Sequence, residues 1–408
     1  MIDLHPALRP YEGKWDFAAA AHLWRRAGFG APPERVEEAL KGSPGEEVAR
    51  LVDGPDKNQP IEELESIFDA VLGSNNADAA RAWLLARMVR SEHPLREKMA
   101  LFWHGHFATS IAKVRDLEWM MNQYRLFLEL GLGTFGELLD AVARDPAMIR
   151  WLDNETNSKG HPNENFAREL FELFTLGIGN YTERDVQEAA RAFTGWHLLR
   201  GRFHFSRSTH DEGEKEILGR RGNFGGEDVL AIALDQPACG RFLARKLLEF
   251  FVLPEPDEEV VASLGLWLKT TGFDIASTLW VLLGSRLFFS PEARGALIRS
   301  PIEFGVGTAR VVEAKVDTQA AVPALRAMGP DLLGAFGSGQ GMEDRLLVRA
   351  AAVVDPAIAD SPHVGLRIVG ILRPVPPRLD EPAGVDVQLA IQRLFIRTIE
   401  IPQQPGGH

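Results

Sequence analysis

The chain has 408 residues, 45% hydrophobic and 25% charged, which is enough to bury a large core and too apolar for disorder over most of its length. Its net charge of -12 leaves no basic excess to displace phosphate counterions, which argues against a nucleic-acid partner. The single cysteine, Cys239, excludes an intrachain disulfide and a cysteine-based zinc site, and its place at the start of an apolar helical pattern reads as a buried small residue.

The opening stretch, MIDLHPALRPYEGKWDF, has no uninterrupted apolar region of the secretory type, so a cytoplasmic location is expected. No apolar run is long enough to cross a bilayer. Phe17, Ala20, Ala21 and Trp24 recur at helical spacing, and Gly28 and Gly30 end that run. Ser43, Pro44 and Glu46 form a helix-start signature, the serine capping and the glutamate bonding back. Periodicity and breakers predict further helices over 60–72, 77–91, 95–112 and 114–131. A polar, Asn-rich loop, DNETNSKGHPNEN, separates FGELLDAVARDPAMIRWLD from the apolar helix NFARELFELFTLG. Within that helix Phe166, Leu170, Leu173 and Phe174 form the expected buried stripe. Thr182 and Asp185 read as the capping box of the next helix, which stops at Gly195. In RFHFSRSTHDEGEKEILG, Phe203 and Phe205 alternate with polar residues and read as a strand that pairs with 216–218 across a loop carrying His210, Asp211 and Gly213. Helices resume at 226 and continue to 315; beyond them lie GSGQG, a proline cluster at 374–377 and one apolar segment, VGLRIVGIL, of strand character. The expected fold is mainly α: a single large multi-helix domain over 15–315 with a small β-hairpin, followed by a smaller, divergent α/β or irregular segment over 316–408.

Several stretches resemble the bacterial family known as domain of unknown function 1800. They are AAHLWRRAGFG, LREKMALFWHGHFATS, the long run from DPAMIRWLDNETNSKGHPNENFARELFELFTLGIGNY to ERDVQEAARAFTGW, HDEGEKEILG and SPIEFGVG, together spanning residues 17–310. The resemblance implies a predominantly helical fold with no agreed activity, in proteins that are often exported and often encoded beside relatives of sulfatases or phosphatases. The chain departs from the family pattern in showing no export leader, and in lacking the aromatic, Pro-Pro and Gly-Trp pattern after SPIEF.

Four constellations could carry chemistry. His104 and His106 share a face only on a strand; in a helix they point about 200° apart, so they chelate one ion only if Gly105 breaks the helix. Asp153, Glu155, Asn157 and Glu164 match positions of a calcium loop, but Ser158 stands where that loop takes glycine, and the competing reading is an Asn-rich connection whose amides cap the flanking helices. Asn165, Arg168, Glu169 and Glu172 form either a carboxylate face fit for a metal or acid–base pair, or a solvated Glu–Arg face. His210 and Asp211 either share a metal shell or sit as plain turn residues.

No phosphate loop, dinucleotide fingerprint, serine elbow or HExxH pattern is present. Two functions fit. One is a metal-assisted, hydrolase-like enzyme with a divalent metal on His104, His106, Glu169 and His210 and catalytic groups at Glu164, Glu169, His210 and Asp211. The other is a non-catalytic helical binding or accessory protein, with a polymer or protein partner, whose polar centre is a structural hydrogen-bond network. Burial cost predicts that His104, His106, Glu164, Glu169 and His210 gather in space under either reading.

Overall fold

The computed structural model describes residues 3–54, 61–314, 316–327 and 332–334. GSGQG, the proline cluster and VGLRIVGIL lie outside the described residues, as does most of the expected segment 316–408. The described chain is mainly α, as periodicity predicts, with only small antiparallel hairpins for its sheet structure. Among these residues no helix is long and apolar enough to cross a membrane.

Local capping explains most helix starts. The Asp16 carboxylate accepts from Ala19 N (3.1 Å) to open Phe17–Gly28. Ser43 with Glu46, and Thr182 with Asp185, close the capping boxes that open Pro44–Asp53 and Glu183–Ala192. Each box satisfies amides that the first helical turn leaves without partners. The helix over 95–112 is really two pieces, Pro94–Phe107 and Ile111–Val114, because Ala108 turns left-handed (φ 49°) and Ser110 recaps. Aromatic rings fill the interior: Trp103 stacks on Phe135 at 5.5 Å, and Phe107 stacks on Phe127 at 5.8 Å. Burying each such side chain contributes about 1.5–3 kcal/mol.

The chain start is tied to a distant segment. Leu287 N donates to Ala7 O (2.8 Å), Arg286 N to Arg9 O (2.9 Å) and Tyr11 N to Gly284 O (2.9 Å). The helix Thr318–Ala327 packs on Ala77–Arg90, and Ile111 N donates to Leu333 O (2.9 Å).

The strand pairing differs from expectation. Phe203 lies in β2 (Arg202–Phe205), which pairs with β1 (Trp196–Leu199), not with 216–218. The latter region forms its own hairpin, β3 (Lys215–Ile217) with β4 (Arg220–Gly222). Both turns are two-residue turns with positive φ at each position, Arg200 (52°) with Gly201 (76°) and Leu218 (48°) with Gly219 (78°). That geometry matches strand twist but is usually signalled by Asn-Gly or Asp-Gly. With Arg and Leu in the first place, the signal is weak.

Candidate functional site

The helix Pro94–Phe107 runs unbroken through Gly105, so His104 and His106 leave it on different faces. The Nε2 of His104 meets Gly334 O at 3.1 Å, and His106 Nε2–H donates to Phe174 O at 3.0 Å. Rings of Phe102, Trp103, Phe107, Phe135, Phe174 and Phe242 surround His106, all within 6.2 Å. Burial in that box, with help from nearby Lys246, pushes its pKa down to about 3. His106 is therefore a neutral core imidazole.

The Asn-rich loop spends its oxygens on the protein itself. Asn157 is fully buried; its Nδ2 donates to Asn154 Oδ1 (3.2 Å) and Ala190 O (3.0 Å), and its Oδ1 accepts from Asn163 N (2.9 Å). Asn163 Nδ2 returns to Asp153 O (3.2 Å), and its Oδ1 caps Asn165 N (3.0 Å). Asp153 itself pairs with Lys113 at 2.8 Å. The calcium-loop offsets thus do not converge on an ion, and the capping alternative describes the loop. Two further bonds join it to the segments flanking the first hairpin: Lys159 N to Thr209 O (2.8 Å) and Gly195 N to Asn157 O (3.2 Å). His197, which the sequence did not single out, bridges the same elements through Glu155 O (3.0 Å) and Thr209 Oγ1 (2.7 Å). Its place within a tryptophan-led strand was the available signal.

The helix that follows changes pitch. Asn165–Glu169 is α, but Leu170–Thr175 is a π-helix, with Leu176 N bonding back to Phe171 O (2.9 Å). Phe166, Leu170 and Phe174 of the expected stripe are buried, together with Ala167, Phe171 and Thr175. Leu173, expected in the stripe, is half-buried and packs against the core. Glu164 is occupied by Arg168 (3.0 Å), which also grips Glu183 (2.8 Å). Glu169 is half-buried; burial first and the neighbouring Glu172 second raise its pKa, against Arg168. Glu172 accepts from the Tyr181 hydroxyl at 2.9 Å.

His210 and Asp211 do not engage each other's side chains. His210 Nδ1–H donates to Thr194 O (2.8 Å), whereas Asp211 takes a two-pronged contact from Arg191 (2.8 and 3.3 Å) and one from Gly213 N (2.8 Å). Arg191 above all holds the Asp211 carboxyl down at about 2. The buried Lys215 caps the carbonyls of Asp211 (2.6 Å) and Gly213 (2.9 Å). The three histidines expected to share an ion therefore meet three different backbone carbonyls. Among the described residues no group of three or more His, Cys, Asp or Glu side chains could hold a metal ion. Cys239 is buried, and burial pushes its thiol up to about 12.

The most concentrated charge lies elsewhere. Lys98, sealed from solvent, contacts the buried Glu303 and sits 4.8 Å from the centre of the Phe29 ring. Burial pushes Lys98 down, opposed by Glu303; burial pushes Glu303 up, but Lys98 and Arg26 more than reverse it and leave it lowered. Next along the same helix, Glu97 is buried against Arg87 at 3.0 Å. A Glu-Lys pair amid the apolar run LREKMALFW was a legible sign of a buried ion pair, since an isolated buried charge costs several kcal/mol.

These features belong to a mainly helical fold whose polar loop, hairpins and ionic core are held by internal hydrogen bonds and ion pairs. The chain belongs to the family described as Protein of unknown function (DUF1800), whose model matches residues 22–338. No curated protein and no solved structure matches the chain.

Proposed function

We propose that this chain is a non-catalytic helical binding or accessory protein, and that its polar centre over 153–211 is a structural hydrogen-bond network. The observation that carries this reading is Asn157, whose amide bonds tie the loop to itself and to the helix Glu183–Ala192. A polymer or protein partner fits the net charge of -12 better than nucleic acid does.

The metal-assisted hydrolase, with Glu164, Glu169, His210 and Asp211 as catalytic groups, is the second reading. One observation favours it: Glu169 is half-buried beside Glu172 with a raised pKa, the pattern of a general acid. Elemental analysis of protein purified without chelator separates the two. The first reading expects no stoichiometric transition metal or zinc and the same melting temperature with or without EDTA. One bound ion per chain, lost in a Glu169→Gln or His210→Ala variant, would sink it in favour of the second.

A further inference from the structure

Charge is unevenly spread along the chain. Between Glu188 and Asp211 there is no acidic residue, while the same stretch carries four arginines and three histidines, in a chain whose net charge is -12. Of the ten arginines from Arg144 to Arg221, eight form ion pairs with carboxylates. Arg200 and Arg202 do not. Both are exposed, and neither has an ion pair or a side-chain hydrogen bond among the described residues.

These two arginines sit on the hairpin of β1 and β2. Its turn, Arg200-Gly201, is two residues long, so the flanking pair Leu199 and Arg202 exchanges both backbone bonds, and the bonding alternates from there to the pair His197 and His204. The N–H and C=O of Phe203 therefore point away from β1, toward an edge that no further strand covers among the described residues. The β1 side differs, because it packs on the turn Asn154–Thr156 and on the helix Pro146–Trp151. Alternation also sorts the side chains. Leu198, Phe203 and Phe205 share the face of Trp196, where the Arg144 guanidinium lies 5.0 Å from the Trp196 ring and 5.1 Å from the Phe203 ring. Leu199, Arg202 and His204 line the opposite face; all three are exposed, as is Phe205.

An open strand edge is a template for another extended chain, and the charges beside it decide which one. A second copy of this hairpin would set arginine against arginine. A polyanion such as an acidic polysaccharide would meet the arginines but leave the Phe203 backbone groups and the exposed Leu199 and Phe205 side chains unused. An acidic peptide uses all of them.

We propose that the outer edge of β2 binds an extended, acidic peptide segment of a partner protein, added as a third strand, with carboxylates alternating onto the Arg202 face and apolar side chains onto the Phe203 face. Arg200, in the turn, receives a carboxylate at the end of the added strand. This inference rests on the reading of the chain as a binding or accessory protein and names the chemistry of its partner.

The test uses the whole protein and a labelled, end-capped decapeptide of alternating glutamate and valine, followed by fluorescence anisotropy. The expected result is saturable binding with half-saturation on the order of 100 µM, weakening as salt rises. The same peptide with every backbone nitrogen methylated keeps its charge but cannot donate to the edge, and it should bind at least about tenfold more weakly. Reversing the two exposed charges, Arg200→Glu with Arg202→Glu, should abolish binding of the glutamate peptide and confer binding of its lysine–valine counterpart, while leaving the melting temperature unchanged. The proposal is overturned by a glutamate peptide that does not bind saturably, by a methylated peptide that binds as well, or by binding that ignores the charge reversal. It is overturned equally if alginate, an acidic polysaccharide, binds through the two arginines and the peptide does not. The metal analysis decides the underlying reading separately: a metal-free protein that ignores the peptide leaves that reading standing and overturns this one.

Discussion

Removing the Asn157 amide is the most direct probe of the network. Asn157→Ala deletes bonds to Asn154 Oδ1, Ala190 O and Asn163 N, at 3.2, 3.0 and 2.9 Å. Asn154 and Ala190 are themselves buried, so water does not replace the lost donor. A stranded buried polar group costs about 1–3 kcal/mol, and two of them give about 2–6 kcal/mol. At roughly 2 °C per kcal/mol for a large domain, the melting temperature should fall by about 4–12 °C in scanning calorimetry. Asn157→Asp keeps the shape but turns an acceptor toward Ala190 O and should be no milder. A shift under about 1 °C for both variants would refute the argument, because the bonds would then contribute nothing net.

The pH dependence has a definite sign. His106 is held near 3 by burial, well below its ordinary 6.5, so between those values the unfolded chain binds a proton that the folded chain refuses. Stability should therefore be complete above about pH 6.5 and decline as pH falls toward 3, at up to about 1.4 kcal/mol per pH unit from this group. In denaturant melts, His106→Phe should flatten that slope by a comparable amount; an unchanged slope would mean that the imidazole titrates normally. Gly307→Ala should destabilise by about 1–3 kcal/mol, because its Cβ would come within 2.4 Å of Phe29 O, and a native-like melting temperature would show that the helix can shift aside.

Sequence reasoning reads this chain best where the physics is local. Capping at Ser43 with Glu46 and at Thr182 with Asp185 is written into four consecutive residues each, and it appears as expected. It weakens where a tertiary choice decides. Nothing in LREKMALFWHGHF says whether Gly105 ends a helix, and packing of Trp103 and Phe107 carries the helix through it. The π-turn at Leu170–Thr175 is invisible to a 3.6-residue period, and Leu173, expected to be buried, packs against the core only half-buried. The polar segment was legible as important, yet Asn157 offered no hint that its oxygen would face Asn163 N and not an ion.

Long-range closure has a consequence for how the chain is made. The segment around Ala7–Tyr11 bonds to Gly284–Leu287, and the sealed Lys98 waits for Glu303. At about 5–20 residues per second, a ribosome needs roughly 10–40 s after making Lys98 to supply that partner. During this interval the nascent chain exposes an unmatched lysine and an open aromatic face. Truncation before residue 303 would leave that state permanent, so shortened products should be cleared by proteases or held by chaperones. Biosynthesis of this fold is in effect a single late commitment, made only when the helix carrying SPIEF has emerged.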